Sequence, residues 1–438
     1  MHDQRKTLLI LGSMDEFALL VQRAKERGCR VLVADGYEHG PARAHADASF
    51  TIPVTDTEAL VNLCRDEAVD ALITSFSDVL FEEGCRVAHA AGLPAPCSLD
   101  KLEFLRNKQL MKNMFDQLGV PYPNSCVVPL DQVERACESL RFPCVIKPVD
   151  AYGSYGVRVV RTAVEAIESA ASVAEESRRA NSVVLEEYNG GHEFNMITWA
   201  SHGRVFPVSV ADREKTVCAF EDLPHVSRIV YPSRFTDEVL PDALAYAQRI
   251  VEFAGIEHGP LCMQFFWSPD SGIHVCEVTG RVFGYEHELL EYASGLSVED
   301  LLLDTALDRD ALARRLEAHD ARSMPKCSCG LYFHARDGIV ASLDAAQAAL
   351  QGPCVQETLL YYAPGQTVKN ARGGQPYAAR AFLAAESYGE LDAASARMFA
   401  NFSIADPDGK DLAVPNRLPS ACRASQASET TAKEQPVS

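Results

Sequence analysis

The chain has 438 residues, 47% of them apolar, and its 41 basic and 61 acidic side chains give a net charge of −20. That length is more than one hydrophobic core serves, and it predicts about three domains. An acidic surface repels phosphate backbones and anionic lipid, so neither nucleic acid nor a membrane surface is an expected partner, and no apolar run reaches the roughly 18 residues of a membrane span.

Residues 7–98 alternate strand and helix. Strands are expected at 8–11, 30–34 and 69–74, with helices near 16–27 and after Asp78. Alternation of this kind implies a parallel, doubly wound, Rossmann-like sheet over residues 1–98. Gly12 and Asp35 mimic a dinucleotide-binding unit and suggest a dehydrogenase as one rival. The further glycines that unit needs are missing, and Asp15 and Glu16 would face the pyrophosphate. Residues 99–122 read as one helix carrying Lys101, Arg106, Lys108 and Lys112 and ending near Gly119.

A small α/β unit is expected at about 123–188. Strands follow at 194–199, 205–212, 260–267 and 273–278, interrupted by a helix at 241–254. A smaller α/β segment covers 326–412, and the polar stretch 413–438 reads as a disordered tail. Fourteen cysteines lack regular spacing. Cys327 and Cys329 have no neighbours to complete a zinc site, so all are read as reduced thiols of a cytoplasmic protein.

Two stretches carry chemistry. In Pro143-Cys-Val-Ile-Lys-Pro148 a short apolar strand presents Lys147, and a loop with Gly153, Ser154 and Gly156 follows before a second strand. An ammonium beside glycines that let backbone N–H groups come close is a way to grip phosphate. In His274-Val-Cys-Glu-Val-Thr-Gly-Arg281, simple alternation along a strand points Glu277, Thr279 and Arg281 to one face. Carboxylate and hydroxyl oxygens suit magnesium, and a guanidinium suits phosphate.

Together these stretches resemble the ATP-grasp superfamily, and the resemblance spans roughly residues 7–400. It implies an α/β chain in which the N-terminal Rossmann-like domain precedes an ATP-grasp domain at 99–325 with a lid at about 123–188. The small domain at 326–412 is most like that of stand-alone amino-acid ligases. By resemblance Glu186 and the backbone of Glu187, Tyr188 and residue 189 bind adenine, Glu193 reaches the ribose, and Lys108 and Lys147 take phosphate. Lys215 is the weaker counterpart of a basic residue near the γ-phosphate, with Arg213 as a competitor. Arg281 and Lys147 are the catalytic pair, and Glu277, Gln264 and Thr279 are the metal positions.

The chain departs from the family motif Glu-x-Asn-x-Arg at Thr279. It also carries Gln264 where many members have glutamate. The implied reaction is ATP-dependent activation of a carboxylate as an acyl phosphate, which an amine then captures with release of ADP and phosphate. ATP with magnesium, or manganese in its place, is the implied cofactor set. A small carboxylate and an amine are the implied partners, with a homodimer left open. The neutral Gln264 and Thr279 suggest one firmly held metal ion. They also suggest the second rival, a nucleotide-binding protein whose catalysis has decayed. One of Glu286, His287 and Glu288 is expected to meet the substrate amine if any of them does more than favour a helix start.

Overall fold

In this computed structural model, residues 5–150, 156–177, 181–216, 225–369 and 377–419 are described. Contacts divide the chain into two units. The first comprises Met1–Val210, Phe235–Glu288 and Leu296–Ala321; the second comprises Ala211–Arg234, Leu289–Gly295 and Arg322–Ser438.

The first unit opens with β1 (Thr7–Leu11), α1 (Ala18–Glu26), β2 (Arg30–Asp35), β3 (Ala48–Thr51), α2 (Thr57–Asp66), β4 (Ala71–Ile73) and α3 (Asp78–Ala91). The four strands pair in parallel in the order β3-β2-β1-β4. Leu8–Leu11 and Val31–Ala34 are solvent-inaccessible, as helices on both faces require of a parallel sheet. The dinucleotide rival meets two obstacles here. Asp35 spends one carboxylate oxygen on the Ser13 N–H and hydroxyl, both at 2.8 Å, and the other on the Tyr37 N–H. At Gly12, with φ +115°, a Cβ would lie 2.5 Å from the Phe17 ring, so a side chain fills the turn that a pyrophosphate would need.

The stretch expected as one helix over 99–122 is broken. A single turn, α4 (Leu99–Leu102), runs into a 3₁₀ segment, and α5 (Lys108–Leu118) begins anew. The cause is Asn107, whose Oδ1 accepts the N–H groups of Gln109 and Leu110 and so caps a fresh helix. Lys108 is therefore the first residue of α5, with Lys112 one turn on.

Next come β5 (Ser125–Pro129), α6 (Val133–Cys137), β6 (Cys144–Pro148), β7 (Arg158–Val160), α7 (Ala163–Ala174) and β8 (Ser182–Glu187). The strands form an antiparallel sheet in the order β5-β8-β6-β7. One face, with Ile146, Val160 and Leu185, packs on Ala166, Ala170 and Val173 of α7. Lys147 and Glu186 have the opposite parity and stand on the other face.

The remaining elements are β9 (His192–Ser201), β10 (Arg204–Thr216), β11 (His225–Tyr231), α8 (Thr236–Ala254), β12 (His258–Ser268), β13 (Gly272–Thr279), α9 (His287–Ser294), α10 (Val298–Leu307) and α11 (Arg309–Ala318). In the first unit the order is β13-β12-β9-β10. Phe194, Met196, Leu261, Met263, Phe265 and Val275 pack with Val239, Ala243 and Ile250 of α8 in one core. β10 leaves the first unit at Val210 and continues in the second.

The second unit holds the end of β10, β11, β14 (Cys327–Phe333), β15 (Gly338–Ile339), α12 (Asp344–Ala349), β16 (Val355–Leu360), β17 (Thr367–Val368), β18 (Ala379–Ala385) and α13 (Tyr388–Asn401). Its sheet runs β10-β11-β14-β18-β16 and packs on α12 and α13. Cys327 and Cys329 are buried in β14. The start expected for the tail is corrected by contacts of this unit. The Val414 N–H donates to His334 O, and the Asn416 amide to Tyr332 O, so the chain is packed through about 417. Residues 420–438 lie outside the described residues. No described helix is long and apolar enough to cross a membrane.

Candidate functional site

Register settles what alternation alone could not. Counted straight through, Ile273, Val275, Glu277 and Thr279 would share a face. A bulge between Gln264 and Phe265 absorbs Cys276, so Val275 pairs with Phe265 while Glu277 pairs with Gln264. Ile273, Val275 and Val278 then enter the core, and Glu277 and Thr279 turn to the opposite face. Across three strands that face presents the row Asn195–Gln264–Glu277, flanked by Ile197–Cys262–Thr279 on one side and Glu193–Phe266–His274 on the other.

The row is already bonded. The Gln264 amide donates to Glu193, and the Asn195 amide donates to Glu286 at 2.7 Å. Asn195 is 1% exposed, and its Oδ1 has no hydrogen-bond partner among the described residues. Thr279, expected to face a metal, instead donates its hydroxyl to Asp78 at 3.1 Å. Arg281 grips the same carboxylate with two bonds, of 3.1 and 2.7 Å, and lies over the Phe283 ring. Burial raises the cost of the Asp78 anion, but Arg281 and then Arg106 outweigh it and hold the carboxyl below its ordinary value. The approach of α3 depends on Gly280, where a Cβ would lie 2.4 Å from the Phe81 ring.

On the lysine side, Lys147 donates to Glu186 Oε1 at 2.8 Å and Lys112 donates to Glu186 Oε2 at 2.9 Å. The three are 7%, 7% and 4% exposed, in the order Lys147, Lys112, Glu186. Lys112 also lies 4.7 Å from the Tyr122 ring centre. Burial works against the Glu186 anion, yet Lys147 and Lys112 keep its carboxyl below the ordinary range. Burial likewise opposes the Lys147 ammonium, and Glu186 more than compensates, so its pKa is raised. For Lys108 burial wins, and the ammonium sits below the usual lysine value despite the pull of Glu277. Glu277 acts on both Lys108 and Lys147, which sets the oxygen row within electrostatic reach of the lysine group.

The structure thus brings together Lys108, Lys147, Glu186, Glu193, Gln264 and Glu277, with Thr279 and Arg281 joined to them through Asp78. Glu187 is used locally: its carboxylate accepts from Asn124 and Arg141. The N–H groups of Glu187 and Tyr188 bond to the carbonyls of Asn124 and Pro143, leaving Asn189 as the candidate N–H donor of that segment. Gly156 precedes β7, whereas Gly153 and Ser154 of the glycine-bearing loop lie outside the described residues. Lys215 belongs to the second unit, beside a bulge at Glu214.

Sequence reasoning missed Asp78 and Lys112. The spacing of Lys108 and Lys112, four apart on a helix, was the available signal for the second. His287, named above with Glu286 and Glu288 at a helix start, is 2% exposed, 2.7 Å from Glu299 and 3.3 Å from Glu288, and packs at a tilt against the Phe76 ring.

The family model of the ATP-grasp domain matches residues 140–287, and the chain contains an ATP-grasp domain. It is 26% identical over 198 residues to a formate-dependent phosphoribosylglycinamide formyltransferase of Prochlorococcus marinus, covering 44% of this chain and 50% of that one. The same enzyme of Bacillus velezensis is 25% identical over 289 residues, covering 64% and 71%. The chain spans about half the length of most of the curated relatives it matches. Among solved structures, the L-amino acid ligase of Bacillus licheniformis superposes with a TM-score of 0.75 at 18% identity, over 92% of this chain and 99% of that one.

Proposed function

We propose that the protein is an ATP-dependent carboxylate–amine ligase. The observation that carries the reading is the meeting of a buried, net-positive lysine group with an oxygen-lined strand face and a buffered arginine. A carboxylate attacks the γ-phosphorus of ATP, giving an acyl phosphate and ADP. An amine then adds to the acyl carbon, phosphate leaves, and the amine's proton passes to solvent or a nearby base. Lys108 and Lys147 take phosphate charge. Arg281 has five N–H groups, and three of them bond to Asp78 and the Val282 carbonyl. That leaves two for the transferring phosphoryl group or the acyl phosphate. The work of the protein is positioning and charge neutralisation.

Magnesium suits the oxygen row, because Glu277, Gln264 and the unbonded Asn195 Oδ1 are hard donors. No described cluster of three acidic, histidine or cysteine ligands could hold an ion alone, so the nucleotide's phosphates would have to share in the binding. Bound there, the ion would neutralise phosphate charge. An amino acid or a small acid is the substrate class that fits the relatives best. A phosphate-release screen over amino acids, dipeptides and small acids, with and without amines, tests the proposal. Absence of substrate-dependent ADP formation, with ATP binding intact, would leave the second reading, a nucleotide-binding protein without turnover. The ties of Gln264 to Glu193 and of Thr279 to Asp78 favour that reading.

A further inference from the structure

Glu186 is an acid inside a pocket that has to receive phosphate. Its two oxygens each take one ammonium, Oε1 from Lys147 and Oε2 from Lys112. Without Lys112, Oε2 would be an unpaired buried anion beside Lys147, and two outcomes are open to it. It could repel the nucleotide, or it could fold onto Lys147 and occupy the N–H groups that phosphate needs. An ammonium has three donors, and Lys147 spends one on Glu186, so two remain only while Oε2 is held elsewhere.

Stability alone is a poor reason for this cluster. Two ammoniums around one carboxylate leave an excess buried positive charge, and apolar residues of similar volume are often as stable as a buried ion group. The excess makes sense as a seat for an anion, in a chain whose net charge is otherwise −20. The Lys112 ammonium is held on a second side by the Tyr122 ring, 4.7 Å away, whose hydroxyl is tied to Asp116 at 2.9 Å.

We infer that Lys112 is a positioning residue for nucleotide binding: it holds Glu186 back so that Lys147 stays available to phosphate. The inference rests on the ligase reading only in taking ATP as the nucleotide. It gives Lys112 no contact with ATP, and the effect runs through Glu186.

The test measures Mg-ATP, Mg-ADP and adenosine binding to the full chain by calorimetry, alongside the melting temperature. Lys112→Met should weaken Mg-ATP and Mg-ADP by about tenfold or more, with adenosine changed by less than about twofold and Lys112→Arg recovering much of the loss. In a Glu186→Gln background, adding Lys112→Met should make no further difference to Mg-ATP. That comparison leaves no bare carboxylate, so it stands even where Lys112→Met alone does not fold. Wild-type-like ATP affinity in Lys112→Met overturns the inference. So does equal loss of ATP and adenosine, which marks a purely structural lysine, or a further loss in the Glu186→Gln background, which marks direct phosphate contact. A wild-type chain that binds no ATP overturns the ligase reading first, and the inference with it.

Discussion

Each unit buries an ionic cluster, and the two are built on opposite plans. In the second unit Arg228, fully buried, gives Nε and one terminal nitrogen to Glu214 at 2.7 and 3.0 Å and the other to Asp392 at 2.8 Å and the Ser395 hydroxyl. Arg234 reaches the second oxygen of Asp392 at 2.6 Å. Among these four described side chains the charges are matched two against two. In the first unit Lys112 and Lys147 share the Glu186 carboxylate, and Lys108 adds a third cation that Glu277 faces, three ammoniums against two carboxylates. The first arrangement is complete without a ligand, and the second has donors and charge left over. Buried charge as such therefore does not mark a site; surplus buried charge does.

Breaking the closed cluster should have the largest effect. Arg228→Met strands Glu214, and the loss is expected to be about 3–5 kcal/mol of stability, read from the urea midpoint of the transition that involves the second unit. A variant that unfolds like wild type would show the cluster to be dispensable.

Breaking the open site should cost activity first. Lys147→Ala and Arg281→Ala should each lower substrate-dependent ADP release by about 100- to 1,000-fold, the usual cost of removing one preorganised donor. Their loss of stability should be smaller than that of Arg228→Met, because Glu186 keeps Lys112 and Asp78 keeps Arg106. Near-normal turnover in either folded variant would remove it from the catalytic pair.

A third buried group sharpens the comparison through pH. Burial opposes the His287 imidazolium, but Glu288 and Glu299, with Glu16 behind them, hold its pKa up to about 9. The folded state thus binds a proton that the unfolded chain releases near pH 6.5. The stabilisation is full below that pH and is lost as pH rises through about 9, and its size is on the order of 3 kcal/mol. Denaturant midpoints between pH 6 and 9.5 should fall accordingly in wild type and stay flatter in His287→Phe.

The smallest effect is expected at the Glu193–Gln264 contact. As a plain metal position, Gln264→Glu would lower the magnesium requirement. With Glu193 bonded to it, the new carboxylate meets a like charge, and Mg-ATP affinity should instead fall by about 1 kcal/mol, with Glu193→Gln restoring it. A lower magnesium requirement with no affinity loss would return Gln264 to the metal.

Sheet and strand chemistry was legible in the sequence because it is local. Lys147 stands in a five-residue strand, and Glu277, Thr279 and Arg281 fall within five positions. The partners were not legible, because they come from far along the chain. Glu186 is 74 residues from Lys112, and Asp78 is 203 residues from Arg281. Nothing near Asp78 distinguishes it from an ordinary acid at a helix start, where the dipole favours one anyway. The single long helix was misread because Asn107 sits inside an otherwise helical pattern, and only its cap shows that Lys108 begins a new turn. Lys215 could be placed on a strand by pattern, but pattern says nothing about which unit that strand end joins.

The bulge at Cys276 carries one more consequence. Every residue before it and every residue after it keeps its face because this one position is left unpaired. A substitution at Cys276 leaves the register alone, and deleting Cys276 itself would still leave Val275 opposite Phe265 and Glu277 opposite Gln264, whereas deleting a paired neighbour would turn part of the strand to the wrong face. What this position contributes is a spacer that no partner strand reads. Deletions should therefore be better tolerated at Cys276 than at any paired residue beside it, and a deletion scan across Gly272–Thr279 would show the damage dip at this one residue.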